Sequence, residues 1–84
     1  MDSKASDFAE EAIRAIGRLD SATARTLIAQ AFDVDHKIGA IADAIDLACT
    51  EIEEENRVST STWNMLADVV DSPALVAVVE ATRT

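Results

Sequence analysis

What the chain has little of narrows its class before any motif is considered. One proline and two glycines are too few for the many turns of a β-sandwich or barrel. Tyrosine is absent, and Phe8, Phe32 and Trp63 are the only aromatics, so the apolar content is mostly Ala, Val, Ile and Leu. Cys49 is the single cysteine, which excludes an internal disulfide and a thiolate cluster for a metal. No apolar run approaches the roughly 20 residues that a bilayer-spanning helix needs. The opening Met-Asp-Ser-Lys-Ala-Ser-Asp lacks the apolar core of a signal peptide, so a cytoplasmic location is expected.

Bases are also scarce. Seven Lys and Arg face sixteen Asp and Glu, for a net charge of −9. The imbalance is uneven: residues 1–37 carry seven acids against five bases, and residues 38–84 carry nine against Arg57 and Arg83 alone. Such a surface repels phosphates, so direct nucleic-acid binding is not expected. It disfavours anionic membranes for the same reason. It suits a protein partner with a basic surface, and fast, salt-dependent association with it.

What is present is helical pattern. With 49% hydrophobic residues the chain is no disordered acidic tail. Eighty-four residues suffice for one core, and the expected fold is all-α: four to five short helices around one long central helix at about 35–57. The domain is expected to span 1–84 with residues 1–6 flexible. In the long helix Ile38, Ile41, Ile45, Ala48 and Ile52 recur at spacings of three and four, the signature of one helical face. The same stretch holds Asp43, Asp46, Glu51, Glu53, Glu54 and Glu55 without a Lys or Arg between Lys37 and Arg57. Ala40, Ala44 and Leu47 form a thin second apolar stripe opposite the seam.

The remaining helices follow from similar signals. A first helix is predicted from about Asp7 to Arg18. Asp7 and Glu10 stand at capping-box spacing, Phe8, Ala12, Ile13, Ile16 and Leu19 form its stripe, and Gly17 falls near its stop. Asp20 or Ser21 caps a second helix through Phe32, with Ala24, Leu27, Ile28, Ala31 and Phe32 inward. Asp33 and Asp35 offer caps for the long helix. Val-Ser-Thr-Ser-Thr at 58–62 is the clearest break, because hydroxyl side chains compete for backbone hydrogen bonds. A fourth helix then turns Trp63, Leu66, Val69 and Val70 to one side. Ser72-Pro73 is a helix start. The segment Leu75 to Ala81 that follows is apolar nearly all round, so periodicity alone leaves helix and strand open. As a helix it must be buried centrally or against another subunit. A homodimer interface at Leu75, Val76 and Val79 is therefore a candidate.

No constellation carries evident chemistry. Asp33, Asp35 and His36 combine metal-ligand types, but a calcium loop beginning at Asp33 wants glycine at 38 and glutamate at 44 and finds Ile38 and Ala44. Cys49 lies at the edge of the apolar seam, and its one imidazole, His36, is more than three helical turns away along the long helix. The run of glutamates from 51 to 55 lacks the enclosed environment that separates two carboxylate pKa values. Trp63 and Met65 are of types enriched at interfaces. No metal, cofactor or catalytic residue is assigned.

Asp20-Ser21 ahead of an apolar helix resembles the acyl carrier proteins, which are likewise acidic, helical and of this size. In that family an Asp-Ser-Leu serine at the start of the second helix carries phosphopantetheine. The resemblance implies modification at Ser21. Here Ala22 replaces the leucine, and only Gly17 stands for the preceding glycine-rich loop.

The function expected from these features is non-catalytic. The chain reads as a small acidic protein–protein interaction module, of the inhibitor, antitoxin or immunity type, masking a basic surface on its partner. The partner-facing residues are expected to be Asp43, Leu47, Glu51, Glu54 and Glu55. The alternatives are a carrier modified at Ser21 and a structural homo-oligomer with no dedicated ligand.

Overall fold

The structure is a computed structural model and describes residues 3–83. Among these, five helices follow in order: α1 (Ser3–Gly17), α2 (Ser21–Val34), α3 (Gly39–Glu55), α4 (Thr60–Val69) and α5 (Pro73–Arg83). A 3₁₀ turn at His36–Ile38 leads directly into α3. The fold is an all-α bundle, as the composition requires, and the described residues include no strand.

The seam of the long helix is the firmest part of the core. Ile38, Ile41, Ile45, Ala48 and Ile52 are all buried, Ile45 and Ala48 completely. Burying each Ile stabilises the fold by about 1.5–3 kcal/mol relative to leaving it in water. The helix is interrupted at its start because Asp35 Oδ1 accepts a 3.0 Å hydrogen bond from the Lys37 N–H. That i to i+2 bond tightens the first turn. It stops at Asn56, which takes the left-handed conformation at φ 58°, one that Asn tolerates better than most residues.

The centre of the bundle is shared rather than held by one helix. α1 packs on α2, α3 and α5, while α3 packs on α1, α2 and α4. α1 begins at Ser3, four residues before the expected start, and Ala5, Ala9, Ala12 and Ala15 are fully buried along it. Asp7 and Glu10 therefore lie inside the helix and form no capping box. Of residues 1–6, expected to be flexible, 3–6 form the first turn of α1; 1 and 2 lie outside the described residues.

Gly17 ends α1 for a packing reason. A Cβ there would collide with Thr82 Cγ2 of α5, so the missing side chain lets the two helices approach. The conformation expected of a C-terminal glycine falls to Leu19, at φ 60°. The N–H of Leu19 bonds Ile16 O and that of Asp20 bonds Ala15 O, both at 2.9 Å, which is the Schellman pattern. Leu19 accordingly leaves the predicted stripe and is 41% exposed. Asp20 caps α2, accepting from the Thr23 N–H at 3.2 Å.

At the other end of the chain, Ser59 caps α4 and Ser72-Pro73 opens α5 as a helix, with Ser72 O accepting from the Val76 N–H. Leu75 and Val79 are fully buried within the single chain and Val78 nearly so. They belong to the core of the single chain, so of the interface candidates Leu75, Val76 and Val79 two are covered without a second subunit. Val76 alone of the three stays exposed. Ala44 is also fully buried, so Ala40, Ala44 and Leu47 form no continuous surface stripe.

Candidate functional site

The surface between α2 and α3 is built around Arg25. Its guanidinium grips Glu53 with two hydrogen bonds, Nε to Oε2 at 2.9 Å and Nη2 to Oε1 at 3.1 Å. It also reaches Thr50 Oγ1 at 3.3 Å and Asp46 Oδ1 at 3.6 Å. The planar fork is suited to such a bidentate carboxylate pair. Arg25 holds the Glu53 carboxyl below its ordinary value of 4.5, and the Ser21 hydroxyl adds to that effect. The clamp thus bridges the two helices at the surface, above the core cluster that packs them together.

Toward the amino end of α3 from this clamp, a groove of about 470 Å³ lies between α2 and α3. Its floor is apolar: Ile28, Ala29 and Phe32 from α2, Gly39 and Ala42 from α3. Its rim carries Asp43 and Asp46, with Arg25 at the inner end. Phe32 was expected in the core, yet it is 40% exposed. Its ring stacks on His36 with centroids 4.9 Å apart and lies 3.8 Å from where a Cβ of Gly39 would stand. Small residues at 39 and 42 leave room for the groove on the α3 side, and the aromatic ring stays partly open to solvent. Asp46 is partly neutralised by Arg25, whereas Asp43 has no ion pair among the described residues.

The expected partner-facing residues are not one patch. Asp43 lines the groove, and Leu47, one turn further, is exposed beyond it. Glu54 and Glu55 are exposed at the far end of α3, about 17 Å from Asp43 at 1.5 Å per residue. Glu55 pairs with Arg57 at 3.4 Å. Glu51 faces the start of α4 instead. Its carboxylate accepts from the Ser59 N–H at 2.8 Å, the Ser59 hydroxyl at 3.2 Å and the buried Thr62 hydroxyl at 2.7 Å. Burial raises its pKa, but these hydrogen bonds outweigh burial and hold it below 4.5.

The other candidate groups occupy structural positions. Asp35 caps the 3₁₀ turn and His36 stacks on Phe32. Among the described residues no group of three or more His, Cys, Asp or Glu is placed to hold a metal. Cys49 is fully buried with its Sγ 3.7 Å from Ser21 O. Burial pushes its thiol pKa up, away from the reactive thiolate form. Ser21 is the first residue of α2, and its hydroxyl is directed to Glu53. Trp63 packs partly buried against the core and Met65 is exposed.

Sequence reasoning missed Phe32, Arg25 and Asp46 as parts of a site. The available signal was an aromatic at the end of one helix followed by small residues at 39 and 42 in the next. None of the described helices is long and apolar enough to cross a membrane. Comparison with known protein families, curated proteins and solved structures finds no match to this chain.

Proposed function

We propose that the protein is a non-catalytic acidic binding module whose α2–α3 groove takes a basic, amphipathic segment of a partner protein, masking it as an inhibitor, antitoxin or immunity protein does. The observation that carries this reading is the groove itself: an apolar floor with an exposed aromatic, rimmed by Asp43 and Asp46. A helix with apolar residues at i, i+3, i+4 and i+7 would lay that stripe on Phe32, Ile28 and Ala42. Lys or Arg flanking the stripe would meet the two aspartates. The net charge of −9 steers such a segment to the surface, and the groove selects where it lands.

A designed helical peptide with a Leu stripe and Lys on its other positions is a suitable probe. Two variants that remove equal charge separate the groove from general acidity. Asp43→Asn/Asp46→Asn should weaken binding at least tenfold, while Glu54→Gln/Glu55→Gln changes it little, as read by calorimetry at low and moderate salt. Equal losses from both variants would mean that only net charge attracts the peptide.

The homodimer expectation has narrower support, because on α5 only Val76 is a large exposed apolar residue. The carrier reading rests on the position of Ser21 at the start of α2. A mass increase on natively purified protein, mapped to Ser21, would favour it over the binding module.

A further inference from the structure

A second cleft, of about 280 Å³, lies where the carboxyl ends of α1 and α5 meet the connection from α3 to α4. Its apolar wall is made by Ile16, Leu19, Val58 and Trp63, and Arg57 and Arg83 line it as well. Gly17 and Thr82 separate it from an adjoining cleft lined by Arg14 and Arg18. Four of the chain's seven bases therefore gather at this one place. Sixteen acids are spread over the sequence, yet no carboxylate lines either cleft among the described residues. The α2–α3 groove is the reverse, with Asp43 and Asp46 on its rim.

Arg14 is held by Glu10 at 3.2 Å, whereas the two arginines that line this cleft meet their glutamates more loosely. Arg57 meets Glu55 only at 3.4 Å with both side chains more than half exposed, and such surface pairs are weak and exchangeable. Arg83 is more constrained: its Nη2 donates to Asn64 Oδ1 at 2.7 Å, its Nη1 lies 3.7 Å from Glu80, and its side chain is 23% exposed. Asn64 thereby orients the guanidinium, and Glu80 offsets part of its charge. Leu19 supplies the remaining observation. It occupies a left-handed backbone position at φ 60° where glycine would be unstrained, and it spends a large apolar side chain on the wall of this cleft.

We infer that this cleft binds a small apolar carboxylate, its tail against Leu19, Val58 and Trp63 and its carboxylate on Arg57 and Arg83. Guanidinium is the side-chain group best matched to a carboxylate, and Leu19, Val58 and Trp63 give the otherwise polar cleft its apolar side. The same chemistry is offered by a free short-chain acid and by the carboxyl terminus of a peptide ending in Leu. The site is separate from the α2–α3 groove, so the two readings fail independently.

Trp63 is the only tryptophan and stands in the wall of the cleft, so its emission reports occupancy directly. The protein is titrated with hexanoate, hexanamide, acetate, and N-acetyl-dileucine with a free or an amidated carboxyl group. Hexanoate or the free-acid dipeptide should give a saturable change, at least tenfold tighter than its amide and than acetate, and the tighter of the two acids identifies the source. Arg57→Gln and Arg83→Gln should each weaken that binding about tenfold or more. Arg57 is exposed, so its variant leaves the fold intact and keeps the test valid if Arg83→Gln does not fold. No saturable change with either acid, equal binding of acid and amide, or full binding by Arg57→Gln would overturn the inference.

Discussion

Glu51 illustrates at the residue scale how one carboxylate can tie two helices together. It accepts from Ser59 and Thr62 across the α3–α4 turn, so Glu51→Ala leaves the Ser59 N–H without its acceptor and the buried Thr62 hydroxyl with Ser59 Oγ as its one remaining side-chain partner. That should cost about 1–3 kcal/mol in chemical denaturation. Because the folded pKa of Glu51 lies below 4.5, its contribution is fully present above that pH and disappears as pH falls through the folded value. The stability gap between the parent and Glu51→Ala should therefore close on acidification; a gap unchanged between pH 7 and pH 3 would contradict the assignment. Gly17 supports a second residue-scale prediction. Gly17→Ala collides with Thr82 Cγ2 and should lower stability by about 1–3 kcal/mol through overpacking. Adding Thr82→Ala removes the obstructing methyl, so the double variant should recover most of the loss in thermal melts. Additive losses would show that the close α1–α5 approach is not the reason for glycine.

At the scale of elements, α3 is where sequence and structure agree most closely. Ile45 is completely buried mid-seam, and Ile45→Ala should cost about 2–5 kcal/mol; a melt within a degree or two of the parent would rule out that seam as core. The seam was legible because an isoleucine recurring every third or fourth residue has one helical interpretation. The helical state of α5 was legible from Ser72-Pro73. Other features depend on neighbours distant in sequence, which local pattern does not carry. Ala5 and Ala9 are buried in α1, but alanine is common inside and outside, so the early start of that helix left no apolar mark. Phe32 reads as core by spacing and ends on a groove, its ring stacked on His36 and resting beside Gly39. Glu51 reads as surface by charge and is committed to Ser59 and Thr62, residues recognisable only as a helix break. The clamp from Arg25 to Glu53 joins positions 28 apart, a pairing that no short motif announces. Periodicity identified the apolar faces of the helices; it did not say which element covers each one.

For the whole molecule, the distribution of charge matters more than its sum. Asp43 and Asp46 line the α2–α3 groove beside Arg25, and four arginines gather around Gly17 and Thr82, so the charge is divided between two clefts of different character. Exposed charges are screened over about 8–10 Å at physiological salt, so binding of a basic segment at the groove should weaken steeply as ionic strength rises. Self-association has less to draw on. Val76→Glu should leave both the stability and the light-scattering mass unchanged, whereas Val79→Glu places a charge in the core and should unfold the chain. If one groove rather than general acidity recognises a basic amphipathic helix, such a helix lands at one place on the surface, which NMR can map. Uniformly labelled protein is titrated with the Leu–Lys peptide while backbone amide shifts are followed by NMR. Saturable shifts are expected at Ile28, Ala29, Phe32, Gly39, Ala42 and Asp43, and their loss in Phe32→Ala/Asp43→Asn. Shifts spread evenly over the acidic surface, with Glu54 and Glu55 moving as much as Asp43, would contradict recognition by the groove.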